Sequence, residues 1–298
     1  MARRSAFSWL ALPSGLLVTA RIIGAGLAYL AVLATASVIA YGVALVVIPD
    51  SARGTFGLLG LGVAEAAAFA AVLLLWRYLD GRRVQAIGLQ TPRAGPRWLK
   101  GALIGALMMG FVVAFGYTLV DGATWEVNSD ALRAAIVLVV GLIGFAIQGP
   151  SEEVLFRGYI LENARKEWGV RPAVVLSSVV FALFHASNPG FGLLPLVNLV
   201  LFGAGTALYR LYVDDGQLWG VFAIHTVWNW LQQVVFGLPN SGMTSASENT
   251  LFLVTPNSAL PDALWGGGFG PEGTLAASVV LLALIAFSLR RARSALRN

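Results

Sequence analysis

Apolar runs recur along the chain at membrane length. Eight stretches, at about 22–48, 55–76, 101–120, 132–161, 173–187, 190–213, 218–238 and 273–289, are apolar enough for spanning helices, because the hydrocarbon core of a bilayer takes roughly 20 residues of α-helix. Short polar connections separate most of them. The exception is residues 239–272, a stretch rich in Gly, Ser, Pro and Asn without a single Lys or Arg. The pattern predicts an all-α, polytopic transmembrane bundle of eight helices, with no internal repeat and no soluble second domain. The first run is too long for a signal-peptide core and lacks a small-residue cleavage site, so it is expected to stay as a helix. Residues 239–272 are expected to form an external loop, partly disordered.

Composition removes the alternatives. Hydrophobic residues make up 57% of the chain and charged residues 12%, with a mean hydropathy of +0.76, whereas a soluble domain carries roughly 25% charge. The absence of cysteine excludes disulfides, thiolate metal sites and a Cys nucleophile. A net charge of +5 would suggest nucleic acid in a soluble protein. In a membrane protein such charge belongs in cytoplasmic loops beside anionic lipid, so lipid is the expected partner and nucleic acid is not.

Charge also orients the bundle. With the N-terminus cytoplasmic, the inner side collects Arg3, Arg4, Arg21, the basic loop 77–100, Arg165, Lys166, Arg171, Arg210 and the four arginines from Arg290 to Arg297, while only Arg53 and Arg133 fall outside. That asymmetry predicts both termini inside a cell membrane. Trp9, Trp76, Trp98, Trp125, Trp168 and Trp219 fall near the predicted helix ends, as interfacial aromatics do. The chain then divides into residues 1–130 with three helices and the basic loop, a core at 131–238, and 239–298 with the external loop and last helix.

An ionisable side chain at mid-helix costs roughly 2.5–3.5 kcal/mol on insertion scales, so polar residues inside spans carry information. The fourth span holds Gln148, Glu152, Glu153 and Arg157, the fifth His185, and the seventh His225 and Asn229; Glu65 and Asn198 stand alone in the second and sixth. Positions four apart share a helix face and positions five apart do not. Glu153 and Arg157 therefore predict an ion pair, leaving Glu152 free, and Phe181 with His185 and His225 with Asn229 form two more aimed pairs. Their distances from the inner helix ends put Glu152, His185, His225 and Asn229 in one layer, a shared buried site. A set of packing hydrogen bonds or a proton or ion pathway accounts for the same layer. Glu65 reads as neutral or capped by a neighbouring helix, and Asn198 as an interhelical tie.

At these residues the chain resembles the CPBP family, the CAAX protease and bacteriocin-processing membrane proteins that include the type II CAAX prenyl endopeptidase. The family's EExxxR stands here as Glu152, Glu153 and Arg157, its FxxxH as Phe181 and His185, and its HxxxN as His225 and Asn229. The likeness spans about residues 131–232. It implies an intramembrane endopeptidase acting on a membrane-associated protein or peptide, recessed from the cytoplasmic face. Glu152 would be general base on a water held with His185. His225 and Asn229 would stabilise the oxyanion, and Glu153, Arg157 and Phe181 would support them.

The family has been described both as zinc-dependent and as glutamate-dependent. Glu152, His185 and His225 make up a His₂Glu zinc set. That reading leaves Glu153, paired with Arg157, as the only base and gives Asn229 little to do. Metal-free catalysis is the reading favoured, with zinc the alternative. Eighteen arginines against two lysines, with abundant Ala and Gly, suggest a GC-rich bacterial source, where a peptide or membrane-protein substrate ranks above a prenylated one. A non-enzymatic scaffold, immunity protein or proton- or ion-coupled transporter remains the second class.

Overall fold

A computed structural model describes residues 14–120 and 122–295 of the chain. Its helices, in chain order, are α1 (Ser14–Val47), α2 (Asp50–Tyr78), α3 (Ala94–Phe111), α4 (Ala131–Glu153), α5 (Leu161–Trp168), α6 (Val170–Phe184), α7 (Leu193–Tyr212), α8 (Trp219–Trp230), α9 (Asp262–Trp265) and α10 (Leu275–Ala295). Wider π-helical turns extend α3 through Val112–Val120, join α4 to α5 through Val154–Ile160, and extend α8 through Leu231–Val235. Each of the eight predicted spans coincides with one of these rods. Arg3, Arg4, Trp9, Asp121 and Arg297 lie outside the described residues, as do the side chains of Arg53 and Glu248.

Six helices among the described residues are long and apolar enough to cross a membrane, namely Ser14–Val47, Leu59–Tyr78, Ala94–Thr118, Ala131–Trp168, Leu193–Tyr212 and Leu275–Ser294. Two predicted spans are shorter: α6 has 15 residues, and α8 has 12 with a five-residue π extension. At about 1.5 Å per residue they reach roughly 22 and 25 Å, less than the ~30 Å apolar layer. These two short rods carry His185, His225 and Asn229. Large apolar side chains such as Leu27, Ile39, Leu103, Val139, Val175 and Leu282 face outward, a surface that only lipid covers comfortably.

Local sequence explains where the rods stop. Pro49 separates α1 from α2, the Asp130 side chain accepts from the Arg133 amide at the start of α4, and Gly169 at φ 84° ends α5. At one end of the bundle Ser14 Oγ donates to Glu167 Oε1 at 2.6 Å, Arg21 pairs with Asp80 at 3.1 Å, and Arg97 with Asp215 at 2.7 Å. The start of α1 and the residues at or after the ends of α2, α5 and α7 thus gather together.

The opposite end is closed by residues 239–272, and here the expected partial disorder is corrected. Strand β2 (Phe252–Thr255) pairs antiparallel with β1 (Thr124–Val127), with Trp125 opposite Val254, so the fold carries a small sheet outside its helices. Val254 and Phe269 are buried. The glycines that lend the segment its low-complexity look serve turns: Gly266 and Gly270 sit at φ 93° and 96°, a region that side chains resist. Asn198 is the tie its sequence suggested, donating to the Glu272 and Thr274 carbonyls and accepting from Ser278.

Candidate active site

The placement of α8 decides the site, and backbone contact sets it. A Cβ at Gly105 of α3 would lie 2.7 Å from the Ile224 carbonyl oxygen, one at Gly101 would overlap the Gly220 backbone, and one at Gly149 of α4 would lie 3.1 Å from the Thr226 amide. Small residues thus let α3 and α4 grip α8 from two sides, the close approach membrane bundles favour. His225 and Asn229, four residues apart, then face α4.

Two separate networks meet there. In the first, Glu153 Oε1 lies 3.2 Å from Arg157 and 2.9 Å from His225 Nδ1, with Glu153 and Arg157 fully buried. The predicted ion pair is present, and His225 is its third member. The Arg157 guanidinium sits 4.2 Å above the centre of the Phe181 ring, which gives that Phe a role as a cation–π platform. A carboxylate partner requires the proton on Nδ1 of His225. The Nε2 atom therefore faces the chamber, 3.9 Å from Glu152 Oε2.

The second network holds Glu152. Its Oε1 accepts from Gln148 Nε2, and Gln148 Oε1 in turn accepts from Asn229 Nδ2 at 3.0 Å. Glu152 Oε2 is buried and without a hydrogen-bond partner among the described residues. His185 ends α6 with Nδ1 2.9 Å from the Phe181 carbonyl oxygen; a carbonyl only accepts, so this nitrogen carries the proton and Nε2 is left for another partner. Pro150 and the π-helical turn beginning at Val154 flank Glu152 and Glu153, irregularities that often mark functional helices.

Glu152, His185, His225 and Asn229 line one cavity of about 400 Å³, together with Gln148. Glu153 and Arg157 stand behind its wall. Several polar members escaped the sequence reading, Gln148, Glu65 and Glu272 among them. Gln148 was visible only as a polar residue in a span, without a role. Glu65 read as a lone carboxylate, yet it lines the same cavity and accepts from Tyr29 Oη at 2.6 Å; the capping helix is α1.

Among the described residues no three His, Cys, Asp or Glu side chains are grouped to hold a metal ion. Both imidazoles of the site have Nδ1 engaged, by Glu153 and by the Phe181 carbonyl, and keep Nε2 for another partner.

Residues 134–231 match the family model described as type II CAAX prenyl endopeptidase Rce1-like. The matched segment runs from α4 to the end of α8 and contains all three motifs. It bears out the resemblance drawn from them and supports a CAAX-type intramembrane protease. No curated protein and no solved structure matches the chain.

Proposed function

We propose that the protein is an intramembrane endopeptidase in which Glu152 activates water to hydrolyse a peptide bond of a membrane-associated protein or peptide. The observation that carries the reading is the state of Glu152 in the cavity wall: one carboxylate oxygen is tethered by Gln148, and the other, buried and without a hydrogen-bond partner among the described residues, lies 3.9 Å from His225 Nε2. A base needs that unengaged oxygen and a fixed orientation.

In this mechanism Glu152 Oε2 removes a proton from water positioned with His185 Nε2, and the hydroxide attacks the carbonyl carbon. Glu153 holds Nδ1–H of His225, which, protonated on both nitrogens, donates from Nε2 to the developing oxyanion. Asn229, whose amide carries two donors, adds its second N–H. Each oxyanion donor is worth roughly 10²–10³ in rate. The tetrahedral intermediate collapses with cleavage of the C–N bond, and Glu152 passes its proton to the leaving amine. Lining of this cavity by Phe145, Phe181, Phe202 and Trp228 keeps bulk water away and strengthens these contacts.

The test is peptide release from membrane-protein and peptide mixtures, read by mass spectrometry, comparing the reconstituted protein with Glu152→Gln. Cleavage products that vanish in a folded Glu152→Gln variant support the reading. Products formed equally by both, or by neither, sink it in favour of the scaffold or transporter class.

A further inference from the structure

At the end of the bundle where the ends of α2 and α5 meet, two cations share one aromatic ring. Arg82, in the connection after α2, and Lys166 of α5 stand 4.5 and 5.7 Å from the centre of the Trp76 indole, an arrangement held by cation–π attraction. Lys166 also lies within reach of the like charge of Arg82. Their placement is built in. Trp76 is fully buried, its Nε1 donates to the Arg83 carbonyl at 3.0 Å, and the Arg82 amide donates to the Trp76 carbonyl at 3.2 Å. The turn that ends α2 thus folds Arg82 back over the ring. We propose that Arg82 and Lys166 together bind the phosphate of an anionic membrane lipid, which clamps the end of α2 to α5.

The carboxylates at this end are engaged elsewhere. Asp80 Oδ1 pairs with Arg21 at 3.1 Å, and Glu162 gives one oxygen to Arg165 at 2.8 Å and the other to Arg210 at 3.1 Å. Among the described residues neither Arg82 nor Lys166 forms an ion pair with any carboxylate. Arg82 Nη1 is moreover buried and has no hydrogen-bond partner among those residues. A guanidinium N–H withdrawn from water without an acceptor costs free energy, and repulsion between the two cations adds to it. An anion between them relieves both. Phosphate suits the pair, because a guanidinium grips two of its oxygens as a fork while an ammonium meets a third as a point charge.

The surroundings favour a lipid as the source of that phosphate. Tyr78 and Leu79, which lead into this turn, are 75% and 62% exposed, an apolar apron that acyl chains cover. The cation asymmetry puts this end at the cytoplasmic leaflet, where anionic lipids concentrate and each nearby Lys or Arg contributes about 1 kcal/mol of attraction. Lys166 itself is exposed, so a headgroup reaches the pair from the membrane surface.

The test uses the full chain in neutral phosphatidylcholine–detergent micelles titrated with phosphatidylglycerol. Retained lipid is read by native mass spectrometry and stability by the thermal unfolding midpoint, with diacylglycerol and inorganic phosphate added in parallel. Phosphatidylglycerol should be retained and raise the midpoint where the other two do neither. Its apparent affinity should fall about tenfold or more in the Arg82→Gln/Lys166→Gln variant, the size of one charge-assisted contact. The Arg83→Gln/Arg290→Gln variant, which removes the same charge from exposed arginines, should lose about threefold or less. Equal losses in the two variants would mean a diffuse surface field, and phosphate as effective as phosphatidylglycerol would mean a soluble-anion site; either result, or no retained lipid, overturns the proposal. Should Arg82→Gln/Lys166→Gln not fold, Lys166→Gln alone must weaken retention by about threefold or more while Lys166→Arg keeps it, and Lys166→Gln without effect also refutes it. No peptide cleavage enters these readouts, so they are independent of the protease reading.

Discussion

Replacing Arg157 with Gln leaves Glu153 as a fully buried carboxylate with His225 beside it and no guanidinium, and replacing Glu153 with Gln leaves the guanidinium with neutral aromatic faces, Phe181 nearest. At their 3.2 Å separation, and with an effective dielectric of about 20, the pair attracts by about 5 kcal/mol. Removing one partner of such a pair typically destabilises by about 3–5 kcal/mol. Two independent losses would then total about 6–10 kcal/mol, comparable with the whole stability of an ordinary domain. If the pair acts as a unit, the double variant should lose little more than either single one. Stability is measured by reversible unfolding of the purified protein in mixed micelles, and activity by peptide release. Activity should behave differently: the double variant is about as stable as either single one, yet its rate stays low, because a neutral amide in place of the Glu153 carboxylate supplies no anion to His225 Nδ1. Additivity within about 0.5 kcal/mol would show that the two side chains do not interact. Full activity in the double variant would show that the Glu153–His225 contact at 2.9 Å does not serve catalysis.

Three further outcomes are expected. Gly105→Ala places a methyl 2.7 Å from the Ile224 carbonyl and should destabilise by about 1–3 kcal/mol through overpacking while shifting α8 enough to lower turnover; an unchanged unfolding midpoint and rate would contradict the α3–α8 clamp. Burial pushes the Glu272 carboxyl up from 4.5 to about 7, so its contribution to stability is complete below about pH 4.5 and lost as pH rises through 7, a change on the order of 3 kcal/mol; Glu272→Gln should flatten that part of the stability–pH curve, and an identical slope in the variant would refute the assignment. Reporter fusions after residue 260 should report the outer side and fusions at the C-terminus the inner side, and the reverse at either place would break the orientation drawn from the cations.

Much of this architecture was legible because a bilayer forces helix length and apolarity to coincide. Each predicted span falls on a helical rod, and the ties of Glu153 to Arg157 and of Asn198 to its neighbours follow from helix periodicity and the cost of polar groups in lipid. What stayed hidden depends on contacts between distant parts of the chain. Glu65 finds Tyr29 across 36 residues and Ser151 across 86, a pairing that no local spacing reveals. The segment 239–272 looked unstructured because its composition is that of loops, yet Gly266 and Gly270 are needed for turns that bury Phe269 and Glu272.

The division of labour between the two adjacent glutamates was half legible. A five-residue offset separates Glu152 from Arg157 around α4, which predicted that only Glu153 would be neutralised. The sequence could not show that His225 joins Arg157 on Glu153 Oε1 and that Gln148, four residues before Glu152, links it to Asn229. With these in place, the two carboxylates differ in partners and in place: Glu153 Oε1 is shared by a cation and an imidazole and Glu152 Oε1 is held by a neutral amide, while each keeps a second, buried oxygen without a hydrogen-bond partner among the described residues. Such an unpaired buried acceptor costs about 1–3 kcal/mol, and Glu153 has the Arg157 charge beside it to offset that cost. Glu152 has no such cation and lines the cavity where His185, His225 and Asn229 also meet, which is the physical ground for reading the layer as a site for chemistry rather than as helix glue.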